Sequence, residues 1–336
     1  MGWTSAHVLD LGRRGLSVLL LTTLGLQLAA GVGLAYAAGF GEVEQVLGRF
    51  TWPWLLAIAG SLAVSFAGYH EAYRGSFGPK WQLPGHHRTA VALAGFGGFL
   101  AHGATALDVA ALRAGGADRR DTVVRASAFG GLEYGVMAVA GCGAAIAVLV
   151  TGMPQPPPSF TLPWAIIPLP GFLVAFWLAR RYHERLVDST GWRKGVGIFL
   201  ESIELVRELF AHPLRRHSAV LGMTVFWAGD TCAAWCGLAL FGFHMDVAPL
   251  IVGFATGMVL TRRSTPLAGA GLLSVVLPVT VMLSGAPLAV AVPGMFVYQV
   301  LTLWLPTAIS LATMDTLRTM MAAATGDQPG TVSRAK

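Results

Sequence analysis

Residues 15–39 read GLSVLLLTTLGLQLAAGVGLAYAAG, a run without a single charge. A helix needs about 20 apolar residues to cross a hydrocarbon core of ~30 Å. Irregular backbone cannot face lipid, because its N–H and C=O groups would have no partners there. The run therefore predicts a membrane-spanning helix, and Arg13-Arg14 before it predicts a cytoplasmic amino terminus. A cleaved signal peptide is the competing expectation, since Ala35-Tyr36-Ala37 has the small-residue pattern of a cleavage site. The run exceeds the about 7–15 apolar residues of a signal peptide, and further spans follow, so the reading retains the helix. Positive-inside flanking also accounts for Arg13-Arg14 better than a twin-arginine export signal does.

The rest of the chain agrees. Of 336 residues, 54% are hydrophobic and 12% charged, with a mean hydropathy of +0.62. A soluble domain carries about 25% charged residues, so much of this surface faces something other than water. The net charge of +6 does not indicate nucleic acid, because the basic residues flank apolar spans instead of forming one soluble face. Of the three cysteines, Cys232 and Cys236 share a helical face, but no nearby His or carboxylate completes a metal site. They read, with Cys142, as buried free thiols, and no cofactor is expected.

Working outward, helices are expected at about 15–39, 52–69, 124–151, 161–179, 218–241, 247–261 and 288–312. Apolar but Gly- and Pro-interrupted segments fall at 89–112 and 265–284. This threading places 22 of the 23 Lys and Arg residues on the cytoplasmic side. The fold class is an all-α, polytopic integral membrane protein of about eight membrane segments. It has two topologically similar halves, about 15–151 and 161–312, around a cytoplasmic loop at 180–217. A cytoplasmic segment at 1–14 precedes them and a polar tail at 313–336 follows. The expected location is the inner (cytoplasmic) membrane, multi-pass, with the amino terminus inside.

Both ends of 89–112 are basic, so an ordinary crossing would leave four arginines outside. A re-entrant hairpin is the preferred reading, with Gly95, Gly97, Gly98 and Gly103 supplying backbone freedom for the turn. A full crossing that violates the charge rule is the alternative. The second interrupted segment follows Arg262-Arg263-Ser264-Thr265-Pro266 and contains Gly269, Gly271 and Pro278. Interrupted segments at corresponding positions of two halves point to a transporter's substrate site. In the loop, residues 195–211 place Phe199, Ile203, Val206 and Phe210 on one stripe. They predict an amphipathic helix on the membrane surface or against the bundle.

Ionisable groups inside a bilayer are costly, so each is a candidate site residue. Asp108, Glu133 and Asp230 stand out, with Arg262 and Arg263. Arg113, Arg262 and Arg263 would hold a phosphate through bidentate guanidinium contacts. Glu133 and Asp230 would pair with them or bind a proton or cation; Tyr134 and Thr265 complete the candidate substrate-binding set. The competing expectation is that these groups form buried ion pairs that lock helices together. His102 reads as a hydrogen-bonded core histidine. His70 and Glu71 read as a polar cap on an interfacial belt that includes Tyr69 and Tyr73. Trp52, Trp54, Trp164 and Trp304 read as interface and packing residues. No phosphate loop, zinc-helix motif or nucleophile elbow occurs, so no catalytic residue is assigned and an enzyme is the weaker expectation.

Three stretches carry a resemblance. They are Gly97-Gly98-Phe99-Leu100-Ala101-His102-Gly103 leading to Asp108 and Leu112-Arg113-Ala114-Gly115-Gly116; Val123-Val124-Arg125 leading to Leu132-Glu133-Tyr134; and Thr265-Pro266-Leu267-Ala268-Gly269-Ala270-Gly271. Over about residues 15–315 the chain resembles the lysylphosphatidylglycerol synthase transmembrane-region family, which includes that synthase's flippase domain and stand-alone proteins. The family's acidic residue after the last stretch falls at Ser274 here. The resemblance implies a lipid flippase or transporter that moves a phospholipid or a polyprenyl-phosphate-linked intermediate between leaflets. It does not imply lysyl transfer, and no aminoacyl-transferase domain is expected. Alternatives are a non-catalytic membrane subunit of a lipid or glycan synthase, or a membrane enzyme acting on lipid-linked sugars through Asp118 and Asp121. Expected partners are membrane lipids, lipid- or glycan-biosynthesis enzymes and further copies of the chain, with no nucleic acid.

Overall fold

The computed structural model describes residues 13–77, 85–96, 104–153, 156–187, 189–211, 217–261 and 266–325, and among them it contains helices and no strands. The first half holds α1 (Arg13–Ala38), α2 (Phe40–Leu47), α3 (Pro53–Phe77), α4 (Gly85–Phe96), α5 (Ala104–Ala114) and α6 (Arg119–Thr151). Next come α7 (Pro158–Ile166), α8 (Pro168–Val187) and α9 (Trp192–Ala211). The second half holds α10 (His217–Ala239), α11 (Val247–Thr261), α12 (Pro266–Leu283) and α13 (Leu288–Gln299). A π-helical turn (Val300–Trp304), α14 (Leu305–Ala312) and α15 (Met314–Thr325) close the described chain.

Five helices among the described residues are long and apolar enough to cross a membrane: Ser17–Ala38, Arg119–Thr151, Pro158–Leu186, Ala219–Ala239 and Leu288–Ile309. Val247–Thr261 and Gly271–Leu283 are shorter apolar helices. Helix α3 is 25 residues long, but its last two turns carry His70, Glu71 and Arg74.

The bundle is organised around α3 and α10, which touch backbone to backbone. A β-carbon on Gly68 would lie 2.5 Å from Phe226 N and 2.6 Å from Gly222 O, and one on Gly222 would lie 2.5 Å from Ala72 N. One on Gly229 would lie 2.7 Å from Ser61 O. Helices in lipid gain little from apolar contact alone, so small residues that allow such close approach supply packing and weak polar contacts instead. Ser65 Oγ donates to Phe226 O at 2.9 Å across the same seam.

Helix α6 is capped at both ends. Asp118 accepts from the backbone N–H of Arg120 and Asp121, and Gly152 takes the left-handed conformation after the last turn. Arg125 pairs with Asp121 at 3.0 Å and donates to Ser76 O at 3.1 Å, which ties the start of α6 to the end of α3.

The two interrupted segments differ. The described parts of 89–112 belong to α4 and α5, of 12 and 11 residues; the turn expected through Gly97, Gly98 and Gly103 lies outside the described residues. At 1.5 Å per residue neither reaches across ~30 Å alone. The break expected at 265–284 is absent, because α12 runs continuously from Pro266 to Leu283 with Pro278 inside it. Neighbouring helices pack tightly around it: Leu277 and Thr280 are buried, and Gly253 and Gly257 of α11 close on Thr280, Ser284 and Leu277. Such packing and local Ser/Thr hydrogen bonds make a membrane proline tolerable; Thr280 Oγ1 donates to Leu277 O and Ser284 Oγ to Thr280 O.

One further expectation changes and another narrows. The tail begins as a helix, since Met314, Leu317 and Met320 form a buried stripe on α15 that packs against α4 and α5. Of the two placements open to the loop helix, α9 takes the one against the bundle, doubling back along α8 and packing on α6. Its Val206 meets Gly131 and its Phe210 meets Gly135.

Candidate functional site

Three carboxylates lie inside this bundle. Asp108 on α5 is 2% exposed, Asp230 on α10 is 4% and Glu133 on α6 is 9%. A buried polar group costs free energy unless it is hydrogen-bonded, and two of the three carboxylates are met by a tyrosine. Tyr73 Oη donates to Asp108 Oδ1 at 2.7 Å, and Tyr298 Oη donates to Asp230 Oδ1 at 2.9 Å.

The first pair is built by α3, α4 and α6 together. Tyr73 stacks on Phe129 with centroids 4.2 Å apart and meets Tyr69 edge to face at 5.0 Å. A β-carbon on Gly95 would lie 2.8 Å from the Tyr73 hydroxyl and 3.0 Å from that of Tyr69. Gly95 near the end of α4 and Asp108 on α5 therefore converge on one hydroxyl. Glu133 is an electrostatic neighbour of Asp108. It lies eight residues beyond Arg125, about 12 Å along the helix.

Glu133 also links the halves. Trp227 Nε1 donates to its backbone oxygen at 2.9 Å. The Trp227 ring lies 6.3 Å from Phe254, which lies 5.7 Å from Tyr298, the cap of Asp230. The Glu133 backbone and the Asp230 carboxylate are thus joined by buried aromatic residues.

Of the other candidates, Tyr134 is half-buried against the core. Arg113 is exposed on the last turn of α5, so it does not share the interior with the carboxylates it was expected to neutralise. A long guanidinium chain at a helix end reaches water readily, which is the physical reason. Arg262, Arg263 and Thr265 lie outside the described residues, as does His102. Among the described residues, no three His, Cys, Asp or Glu side chains come together as a metal site.

Tyr69 and Tyr73 do not form an interfacial belt: they are 2% and 0% exposed, while Glu71 pairs with Arg74 at the surface. The i,i+4 spacing of Tyr69, Tyr73 and Phe77 is the signal that marks this as an inward stripe. A second polar node was also not anticipated. Trp304 Nε1, from the π-helical turn, donates to Gln27 Oε1 at 2.6 Å, and Ser274 Oγ donates to Gln299 Oε1 at 2.7 Å. Gln27 Nε2 approaches Gln299 Oε1 at 3.4 Å. Ser274, noted in the sequence for lacking an acidic group, thus belongs to a neutral hydrogen-bonded network.

No protein-family model and no curated protein matches the chain.

Proposed function

We propose that this protein is a membrane transporter of the flippase type. It would move a phospholipid or a polyprenyl-phosphate-linked intermediate between leaflets of the cytoplasmic membrane, as its resemblance to the lysylphosphatidylglycerol synthase transmembrane-region family implies. The carrying observation is the set of three buried carboxylates: Asp108 capped by Tyr73, Asp230 capped by Tyr298, and Glu133, whose backbone oxygen accepts from Trp227. Burying that many ionisable groups among apolar helices is expensive, and function is the usual reason for it. Eight membrane segments in two similar halves, with α4 and α5 as a re-entrant hairpin, fit the convergence of Gly95 and Asp108 on Tyr73. The exposed Arg113 at the end of that hairpin is suited to meet a headgroup phosphate at the membrane surface.

A non-catalytic subunit of a lipid or glycan synthase is the second reading. The glycine-locked seam of α3 and α10 favours it, because tyrosine-capped carboxylates also serve to lock helices. The readings part on neutral isosteres. In liposomes with a labelled anionic phospholipid or polyprenyl phosphate, the transporter reading expects leaflet exchange by the native protein. Folded Glu133→Gln and Asp230→Asn variants should not exchange lipid. Normal exchange by both folded variants would overturn the site, and no exchange by the native protein with either lipid would favour the subunit.

A further inference from the structure

A second lipid-related feature lies away from the carboxylates. The most apolar window of the Pro158–Leu186 span is only 6% buried, against 44% for Arg119–Thr151 and 56% for Ala219–Ala239. Few residues of this helix are therefore enclosed by the rest of the protein. Where α9 folds back on it, the two leave a groove of about 580 Å³. Ile167, Gly171, Val174 and Leu178 line it from one side, and Phe199 and Ile203 from the other.

The groove has a charged end. Stepping three, four and seven residues on from Leu178 along the same helical face brings Arg181, Tyr182 and Arg185, all at the surface. Stepping back from Phe199 on α9 brings Val196 and Trp192, with the Arg193 guanidinium 5.8 Å over the Trp192 ring. An apolar trough that opens onto arginines and an interfacial tryptophan matches a phospholipid: chain below, negative headgroup above.

We infer that the α8–α9 groove is a binding site for one anionic membrane phospholipid, with an acyl chain along Gly171, Val174 and Phe199 and the headgroup phosphate held by Arg181 and Arg185. This inference rests on the membrane placement of α8 and not on transport.

Native mass spectrometry of the full-length protein in non-ionic detergent tests it, using phosphatidylglycerol and phosphatidylcholine with identical chains. Phosphatidylglycerol should bind more tightly. The double variant Arg181→Gln, Arg185→Gln should lower its retention roughly 5-fold per arginine removed, towards the phosphatidylcholine level. Gly171→Phe should lower retention of both lipids. Gly171 lines the groove and a β-carbon there has nothing within 4 Å, and the melting temperature reports whether the fold is kept. Unchanged phosphatidylglycerol retention in either variant overturns the inference. So does a native dimer that Gly171→Phe converts to monomer without loss of bound lipid, which would assign the groove to a second copy of the chain.

Discussion

Asp108 and Asp230 are chemically the same site built twice. Each is buried, and each accepts one tyrosine hydroxyl. Their supports are opposite. Asp230 sits in the middle of a 23-residue helix whose glycines lock it to α3. Asp108 sits on an 11-residue helix packed against α6 and α15. Short helices are marginal without tertiary support, and moving elements are drawn from the least stable parts of a fold. The comparison assigns Asp230 to the frame and Asp108 to the part that yields.

The largest expected effect breaks the frame. Gly68→Leu puts a β-carbon 2.5 Å from the Phe226 nitrogen, where no rotamer change relieves it. Overpacking a core costs about 1–3 kcal/mol, and a clash with backbone belongs at or above the upper end. The expected outcome is loss of monodisperse protein in detergent, or a large fall in melting temperature. A Gly68→Leu variant that melts like the native protein would show that α3 and α10 are not the rigid centre.

Removing one hydroxyl at a time sharpens the contrast. Tyr73→Phe and Tyr298→Phe each withdraw the described donor from a buried carboxylate, at about 1–3 kcal/mol. Both should lower the melting temperature similarly, but their hydrogen exchange should differ. Tyr73→Phe should speed exchange locally in α5, whereas Tyr298→Phe should leave α10 protected because its glycine seam is intact. Equal local exchange in both would erase the proposed difference. Gly95→Ala should act more weakly in the same direction as Tyr73→Phe, since its methyl meets the movable ends of two tyrosines 2.8 and 3.0 Å away. A melting temperature unchanged by Gly95→Ala, with Tyr73→Phe still destabilising, would show that α4 does not help to seat the cap.

The frame was largely legible in the sequence, because a bilayer imposes long apolar runs that local reading detects. The 247–261 helix appears with the expected bounds, and 218–241 is found as 217–239. In the 89–112 region α4 ends at Phe96 and α5 begins at Ala104, while the expected turn glycines Gly97, Gly98 and Gly103 lie outside the described residues. Pro278 misled because a proline's effect depends on what packs around it, and Thr280, Ser284 and α11 are invisible to a local pattern. The carboxylates were found by their cost in lipid, but their caps were not. Tyr73 and Asp108 are 35 positions apart, Tyr298 and Asp230 are 68 apart, and Gln27 and Trp304 are 277 apart. Nothing in a local window encodes such pairings. Met314, Leu317 and Met320 were overlooked because a three-residue stripe in a mostly polar segment carries little periodic signal.

The smallest effect concerns an ion pair that water reaches, as a counterpart to the two aspartates that it does not. On α9, Arg207 Nε donates to Glu204 Oε2 at 2.9 Å. That hydrogen bonding from Arg207 holds Glu204 below its ordinary pKa of 4.5; burial opposes the shift, and the charges of Arg207, His183 and Arg180 reinforce it. A carboxyl depressed in the folded state binds its proton more weakly there than in the unfolded chain. Its contribution to stability is therefore complete above the unfolded value and is lost as pH falls through the lower, folded one. Arg207→Gln should make the melting temperature less steeply dependent on pH below about 4.5, while changing stability at neutral pH by less than ~1 kcal/mol, as partly exposed pairs do. If native protein and Arg207→Gln lose stability in parallel through that acid range, the pair contributes nothing to stability.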